Sequence, residues 1–240
     1  MRFEYSPFIQ TNFPALSTCI IELSGVGPDF DSSAPVAKFT EMALKRLELE
    51  NEGAFVEIQA WRRAYAKMGL KPTQYRCAAE ALLRRLRKRG DLPKLHPLID
   101  LCNAVSVAFA VPVAVFDMDR ISGDLCVRPA EGDETYLAFS GQSETPDPGE
   151  VIFADYGRNA HARRWANRQS LRSAVSPKTT RALIVAEAQH EDAADQMLVL
   201  KDALTITIAE AFGVIATGRL LGGSDDAFVS SKLIGDSNVD

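Results

Sequence analysis

Residues 112–155 read PVAVFDMDRISGDLCVRPAEGDETYLAFSGQSETPDPGEVIFAD, and this stretch decides the fold class. Within it PVAVF (112–116), DLCVRPA (124–130), ETYLAFSG (134–141) and GEVIFAD (149–155) are short runs of valine, isoleucine and aromatics. Asp, Gly and Pro separate them, which is the pattern of strands joined by turns. Pro146, Pro148 and Gly149 mark an exposed loop before the last of these runs. Further strands are predicted at His161 to Trp165 and at Ala182 to Glu187.

Upstream, helical spacing takes over. Pro35 suits the first turn of a helix running to about Glu50. Phe55, Ile58, Trp61, Tyr65 and Met68 then recur by threes and fours up to Gly69, the signature of a second helix. A third is predicted from about Gln74 to Arg89, stopped by Gly90, and a fourth opens at Pro97 with Leu98, Leu101, Val105 and Ala108 inward. Downstream, Asp192 and Asp195 open a stripe of Met197, Leu200, Leu204, Ile208 and Ala211 that Gly213 closes. Ser17 to Val26 (STCIIELSGV) reads as an early strand. Helices gathered early and strands gathered late indicate an α+β chain rather than a regular βαβ series. Residues 1–53 are expected to be a strand and helix packed on the core, 54–216 the main domain, and 217–240 a polar, acidic, mobile tail.

Composition narrows the function classes. The 240 residues are 46% hydrophobic, enough for one sizeable core, and no apolar run nears the span of a bilayer, so no membrane partner is expected. A net charge of -5 gives no global attraction to nucleic acid, so any RNA contact must come from a local basic patch. The start, MRFEYSPFIQ, lacks a basic segment followed by an apolar one and does not read as a signal peptide. Cys19, Cys77, Cys102 and Cys126 are dispersed among apolar neighbours and read as core hydrophobes in a reducing cytoplasm. No phosphate loop, dinucleotide fingerprint or zinc motif occurs, and neither a metal nor a cofactor is expected.

Several polar clusters have two readings. Arg84, Arg85, Arg87, Lys88 and Arg89 either complement a helix C-terminus or form an RNA-contacting patch. Asp100 and Asn103 share a helix face and read as a clamp on a neighbouring loop. Asp117, Asp119 and Asp124 sit in a turn, where aspartate usually binds its own backbone, with a metal site as the alternative. Arg128 is expected to pair with Asp124 or Asp119. The most unusual stretch is ARRWANRQS (162–170), in which Arg163, Arg164, Trp165, Asn167, Arg168 and Gln169 crowd seven positions. It is either an edge strand with solvated arginines or a site for phosphate, carboxylate or an unstacked base.

The order PLIDLCNAVS (97–106), VPVAVFDMDRISGDLCVR (111–128), GEVIFAD (149–155), RRWANRQS (163–170) and TTRALIVAEA (179–188) resembles the editing (B3/B4) domain of the phenylalanyl-tRNA synthetase beta subunit, and more closely its free-standing form. The resemblance covers about Ala54 to Phe212. It makes Asp100, Asn103, Asp117, Asp119, Gly123 and Arg128 signature positions. It implies a single globular domain with mixed β-sheets, packed helices and a pocket on one side. In the synthetase that pocket hydrolyses the ester of tyrosine wrongly attached to phenylalanine tRNA. Nothing resembles the aminoacylation core, so ligation is not expected.

The family's glutamate for the tyrosine hydroxyl falls on or within one residue of Glu187. The family pattern has histidine where Ala114 stands and a glycine near Ala166, two departures that leave the identity of the amino acid open. The basic 163–170 segment replaces an apolar loop, which implies a more polar or anionic ligand. The resemblance thus implies a hydrolase acting in trans on mischarged aminoacyl-tRNA. Backbone groups, the tRNA's own terminal hydroxyl or Glu187 would position water, and Arg163, Arg164 and Arg168 would hold the 3′ end. The alternative is a module of the same fold that binds RNA or a small amino-acid ligand without turnover.

Overall fold

The computed structural model describes residues 1–222 and 227–230. Its first half runs β1 (Arg2–Tyr5), α1 (Pro7–Asn12), β2 (Ser17–Ser24), α2 (Ser33–Leu49), α3 (Val56–Lys67), α4 (Ala78–Arg89) and α5 (Pro97–Phe109). Next come β3 (Val113–Asp117), β4 (Leu125–Pro129), β5 (Thr135–Leu137), β6 (Ser143–Glu144), β7 (Val151–Asp155), β8 (Asn159–Arg163) and β9 (Arg168–Gln169). The chain then forms β10 (Arg181–Ala188), α6 (Ala193–Phe212), β11 (Ala216–Leu221) and β12 (Ala227–Val229).

The strands make two sheets. One has the order β12-β1-β4-β7-β8-β5-β6 with β9 on β8, and is mixed because β1–β4 and β5–β8 pair in parallel. The other, β11-β2-β10-β3, is antiparallel throughout. β10 is buried on both faces, and its alternation divides the core. Ala182, Ile184, Ala186 and Ala188 pack with Leu101, Val105, Met197, Leu200 and Leu204 of α5 and α6. Leu183 and Val185 point the other way, to Phe116, Leu125, Phe153, Trp61 and Trp165. Glu187 has the same parity as this second set, so period two sends a carboxylate into the aromatic core.

The α+β class and the mixed sheets are as the sequence implied. Residues 1–53 do more than pack on the core: β1 lies between β12 and β4, and β2 lies between β11 and β10. A mobile tail from 217 is also corrected. Ala216–Leu221 pairs along β2, and Ala227–Val229 pairs with β1, because each offers apolar side chains to a sheet edge that would otherwise be open. Residues 223–226 and 231–240 of that expected tail lie outside the described residues. The third helix begins at Ala78 instead of Gln74, after an extended Cys77.

Gly123 adopts φ +75, and a Cβ there would come within 2.6 Å of the Tyr156 ring. Gly123→Ala is therefore expected to cost about 1–2 kcal/mol of stability, less if the exposed Tyr156 swings away, as read by urea denaturation.

Candidate functional site

After β8 the chain does not continue as a strand to Trp165. Arg164 and Trp165 both take left-handed φ values, 47 and 56, and Trp165 N–H donates to the Val151 carbonyl at 2.7 Å. That double turn throws the indole inward, where it is 0% exposed and meets Phe13 and Trp61 edge-on at 4.9 and 5.2 Å. The loop that follows is pinned at each step. The Ala166 carbonyl accepts Ala78 N–H at 2.7 Å, Asn167 Nδ2 donates to the Arg76 carbonyl at 2.7 Å, and Gln169 Nε2 donates to the Val115 carbonyl at 2.6 Å.

Glu187 meets this loop from β10. Its Oε1 accepts the Trp165 indole N–H at 2.7 Å and the Tyr5 hydroxyl at 2.8 Å, while Trp61 Nε1 donates to its backbone carbonyl at 3.2 Å. Burial pushes its carboxyl from 4.5 up to about 7, although these two donors pull the other way. Glu187, Trp165, Ala166, Asn167, Arg168, Gln169 and Ala114 all line one hollow of about 60 Å³. A larger hollow of about 340 Å³ lies beyond Tyr5 and Thr18, walled by Ile9, Phe13, Pro14 and Leu16. Its lining offers hydroxyls and an amide but no carboxylate, imidazole or thiol.

The arginines divide. Arg163, 6% exposed, is held by Glu150 at 2.7 Å and Glu144 at 2.6 Å. Two carboxylates thus already occupy the guanidinium that was expected to hold the 3′ end. Arg164 lies over the Tyr75 ring at 4.7 Å, and Arg168, 41% exposed, pairs with Glu144 at 3.1 Å. Only Arg168 of the three lines the hollow.

The signature positions lie elsewhere. Asp117, at the end of β3, accepts Thr179 Oγ1 at 2.7 Å and Asp119 N–H at 3.1 Å, while Asp119 faces Arg181 at 3.5 Å. Asp100 accepts Leu95 N–H at 2.8 Å, tying down the approach to α5, on which Asn103 also sits. Arg128 pairs with buried Glu134, not with Asp124 or Asp119, because β4 carries it away from that turn. Asp124 instead accepts Arg2 N–H and the Tyr156 hydroxyl. Among the described residues no group of three His, Cys, Asp or Glu could hold a metal ion. In the basic helix end, Arg84 and Arg87 pair with Glu52, and Arg85 with Asp91.

The fold also assembles a serine–histidine–aspartate set that the sequence did not disclose. His161 Nε2 donates to Asp155 at 3.0 Å, and its Nδ1 shares a hydrogen bond with Ser173 at 2.8 Å. Burial pushes the Asp155 carboxyl up, but His161, Ser122 and Asn159 together hold it far below its usual range. His161 and Ser173 are both 0% exposed, so the set ties β7, β8 and the turn Leu171–Ser173 together and presents no nucleophile. Ser173→Ala is expected to cost about 1 kcal/mol of stability.

The family profile described as the B3/4 domain matches residues 60–202, more than half of the chain. The chain belongs to the B3/4 domain family. Similar relatives are named phenylalanine–tRNA ligase beta subunit. That of Rhodopseudomonas palustris is 28% identical over 134 residues, covering 55% of this chain and 16% of the relative. That of Pectobacterium atrosepticum is 24% identical over 128 residues, covering 50% and 16%. That of Bradyrhizobium diazoefficiens is 37% identical over 76 residues, covering 32% and 9%. The chain thus spans a small part of the length of these relatives. An N-terminal fragment of the phenylalanyl-tRNA synthetase beta-subunit from Pyrococcus horikoshii aligns with TM-score 0.47 and 10% identity, over 89% of this chain and 49% of that one.

This B3/4 domain brings together most of what the sequence singled out at 165–169 and Glu187, and adds what the sequence hid. Tyr5 and Trp61 contact Glu187 from 182 and 126 positions away. No local spacing signals such a contact. Among the described residues no helix is long and apolar enough to cross a membrane.

Proposed function

We propose that this B3/4 domain hydrolyses, in trans and in the cytoplasm, the ester joining an amino acid to the 3′ end of a tRNA. The observation that carries the reading is a buried carboxyl raised to about 7 that lines the same hollow as the 165–169 loop. A group with that affinity is part ionised at neutral pH and suits a general base. Water attacks the ester carbonyl carbon while the Glu187 carboxylate takes its proton. The tetrahedral intermediate then collapses, the carbon–oxygen bond to the ribose breaks, and the ribose oxygen leaves with that proton. Arg168 and Gln169, which line the hollow, would meet the polynucleotide end together with Arg164. The names of the relatives support tRNA as the carrier.

The test is ester loss from a panel of aminoacyl-tRNAs incubated with the purified protein. Acceleration over buffer is expected for at least one species, with Glu187→Gln reducing it about 100-fold. No acceleration on any species would remove the reading. A second reading, a module that binds without turnover, is favoured by the two donors already seated on Glu187 and by Ala114 at the rim. It predicts saturable binding that weakens when Arg164 and Arg168 become alanine, and no ester loss.

A further inference from the structure

We infer that the hairpin joining β5 to β6 is a base-stacking platform, on which Phe139 takes the unpaired terminal base of an RNA 3′ end whose ribose sits at Arg168 and Gln169. This rests on the reading of the Glu187 hollow as the place of the aminoacyl group. An open cleft separates the hairpin from the 165–169 loop and is lined by Tyr136, Ala138, Phe139, Ser140, Arg168 and Gln169. Arg168 and Gln169 also line the hollow that holds Glu187, so cleft and hollow adjoin along these two residues. A ribose held there directs its acyl group toward Glu187 and its base toward Phe139.

Nothing in the folding of the hairpin asks for an aromatic at its tip. Gly141 N–H donates to the Ala138 carbonyl at 2.9 Å and Gly141 has φ +84, so Phe139 and Ser140 are the central residues of a tight turn. Such positions favour Gly, Pro, Asn, Asp and Ser. Phe139 gains little by burial, since it is 66% exposed while Tyr136 and Ala138 pack inward. A residue that breaks a local rule without a structural return points to a ligand. The platform is also held in register with the site. The Tyr136 hydroxyl donates to the Gln169 carbonyl at 2.8 Å, and Ser170 Oγ donates to the Leu137 carbonyl at 3.0 Å. The Arg168 guanidinium is kept between the Tyr136 ring at 5.2 Å and Glu144 at 3.1 Å. Charge contributes little, because Arg163 and Arg168 are matched by Glu144 and Glu150 and the whole chain carries -5. Affinity for a polynucleotide end must then come from stacking, which any base can give on an aromatic face. One exposed ring flanked by a hydroxyl, a guanidinium and an amide is far less apolar area than a protein partner needs.

Anisotropy titration of the full chain tests this with a fluorescein-labelled RNA hairpin ending in an unpaired 3′ ACCA, beside the same RNA with its last nucleotide abasic. The wild type is expected to bind the intact end about tenfold tighter than the abasic one. Phe139→Ala is expected to weaken the intact end about tenfold and to leave the abasic end within about twofold, because both changes remove the same contact. Phe139→Tyr keeps an aromatic face and should restore binding to within about threefold. A merely structural role for Phe139 would weaken both ends alike. The side chain is exposed, so both variants are expected to fold, as circular dichroism checks. Equal affinity of the wild type for the two ends overturns the inference without any variant. A Phe139→Ala protein that loses affinity equally for both ends, or for neither, also overturns it. Ester loss from the panel of aminoacyl-tRNAs is scored separately. Base-dependent binding through Phe139 without ester loss overturns the hydrolase reading alone, ester loss without base-dependent binding overturns the stacking platform alone, and the absence of both overturns both.

Discussion

Arg163→Ala is expected to lower the unfolding free energy by about 3–5 kcal/mol, the largest loss among the arginines of the 163–168 loop. The guanidinium is buried and makes three contacts: Nε and Nη2 with the two oxygens of Glu150 at 2.9 and 2.7 Å, and Nη1 with Glu144 at 2.6 Å. Glu144 keeps Arg168 when Arg163 is removed. Glu150 keeps only a backbone donor, Arg164 N–H at 3.0 Å, and is left as a carboxylate with its side chain 7% exposed. Stranding such a charge costs far more than the pair itself contributes. Two controls separate these effects. Arg168→Ala removes a pair whose cation is largely solvated and should cost no more than about 1 kcal/mol. Arg163→Met combined with Glu150→Gln removes both charges and should recover much of the loss. Urea denaturation reads all three. Equal small losses for Arg163→Ala and Arg168→Ala would mean that Arg163 is not a structural cation and would restore it as a ligand contact.

The same arginine shows where sequence reading stops. The density of guanidinium groups in ARRWANRQS was legible, and so was the segment's place beside the site. What the residues face was not. Glu144 and Glu150 lie 19 and 13 positions upstream across a proline loop, and pairing at that distance is fixed by sheet topology, which no spacing rule supplies. Glu187 was legible as a lone acid at a strand end, and its inward direction follows from the alternation of Leu183, Val185 and Glu187. Its partners were not, since Tyr5 arrives on an N-terminal strand of four residues, too short for a clear pattern. The helices from Ser33 to Phe109 were close to their observed bounds because their apolar steps and glycine stops are local signals. The strands at Ala216–Leu221 and Ala227–Val229 escaped because Gly, Ser and Asp between them weigh composition toward a tail, while edges already present in β2 and β1 recruit them.

Glu187→Gln is expected to change both stability and turnover with a shared pH dependence. In the folded chain burial raises this carboxyl from 4.5 to about 7, so between those values the native state holds a proton that the unfolded state has released. Stability from this group is therefore full below pH 4.5 and falls as pH rises through the window. The total loss is about 3 kcal/mol by pH 7, after which the curve levels. Glutamine keeps an acceptor oxygen for Tyr5 and Trp165 and does not titrate. The stability difference between the two proteins should thus shift in favour of the glutamine form by about that amount from pH 4.5 to 7.5. Taking the difference removes the acid-side loss from Asp155, whose depressed carboxyl weakens the fold only as pH falls. Ester hydrolysis by the wild type should rise across the upper part of the same window, because the carboxylate that destabilises the fold is the form that accepts the proton of water. The glutamine protein should be about 100-fold slower and flat. Chemical denaturation at fixed pH steps, with single-turnover rates at the same steps, measures both. A stability difference independent of pH between 4.5 and 7.5 would show that Glu187 is ionised throughout, and a group already charged at pH 5 could not give hydrolysis a rise near 7.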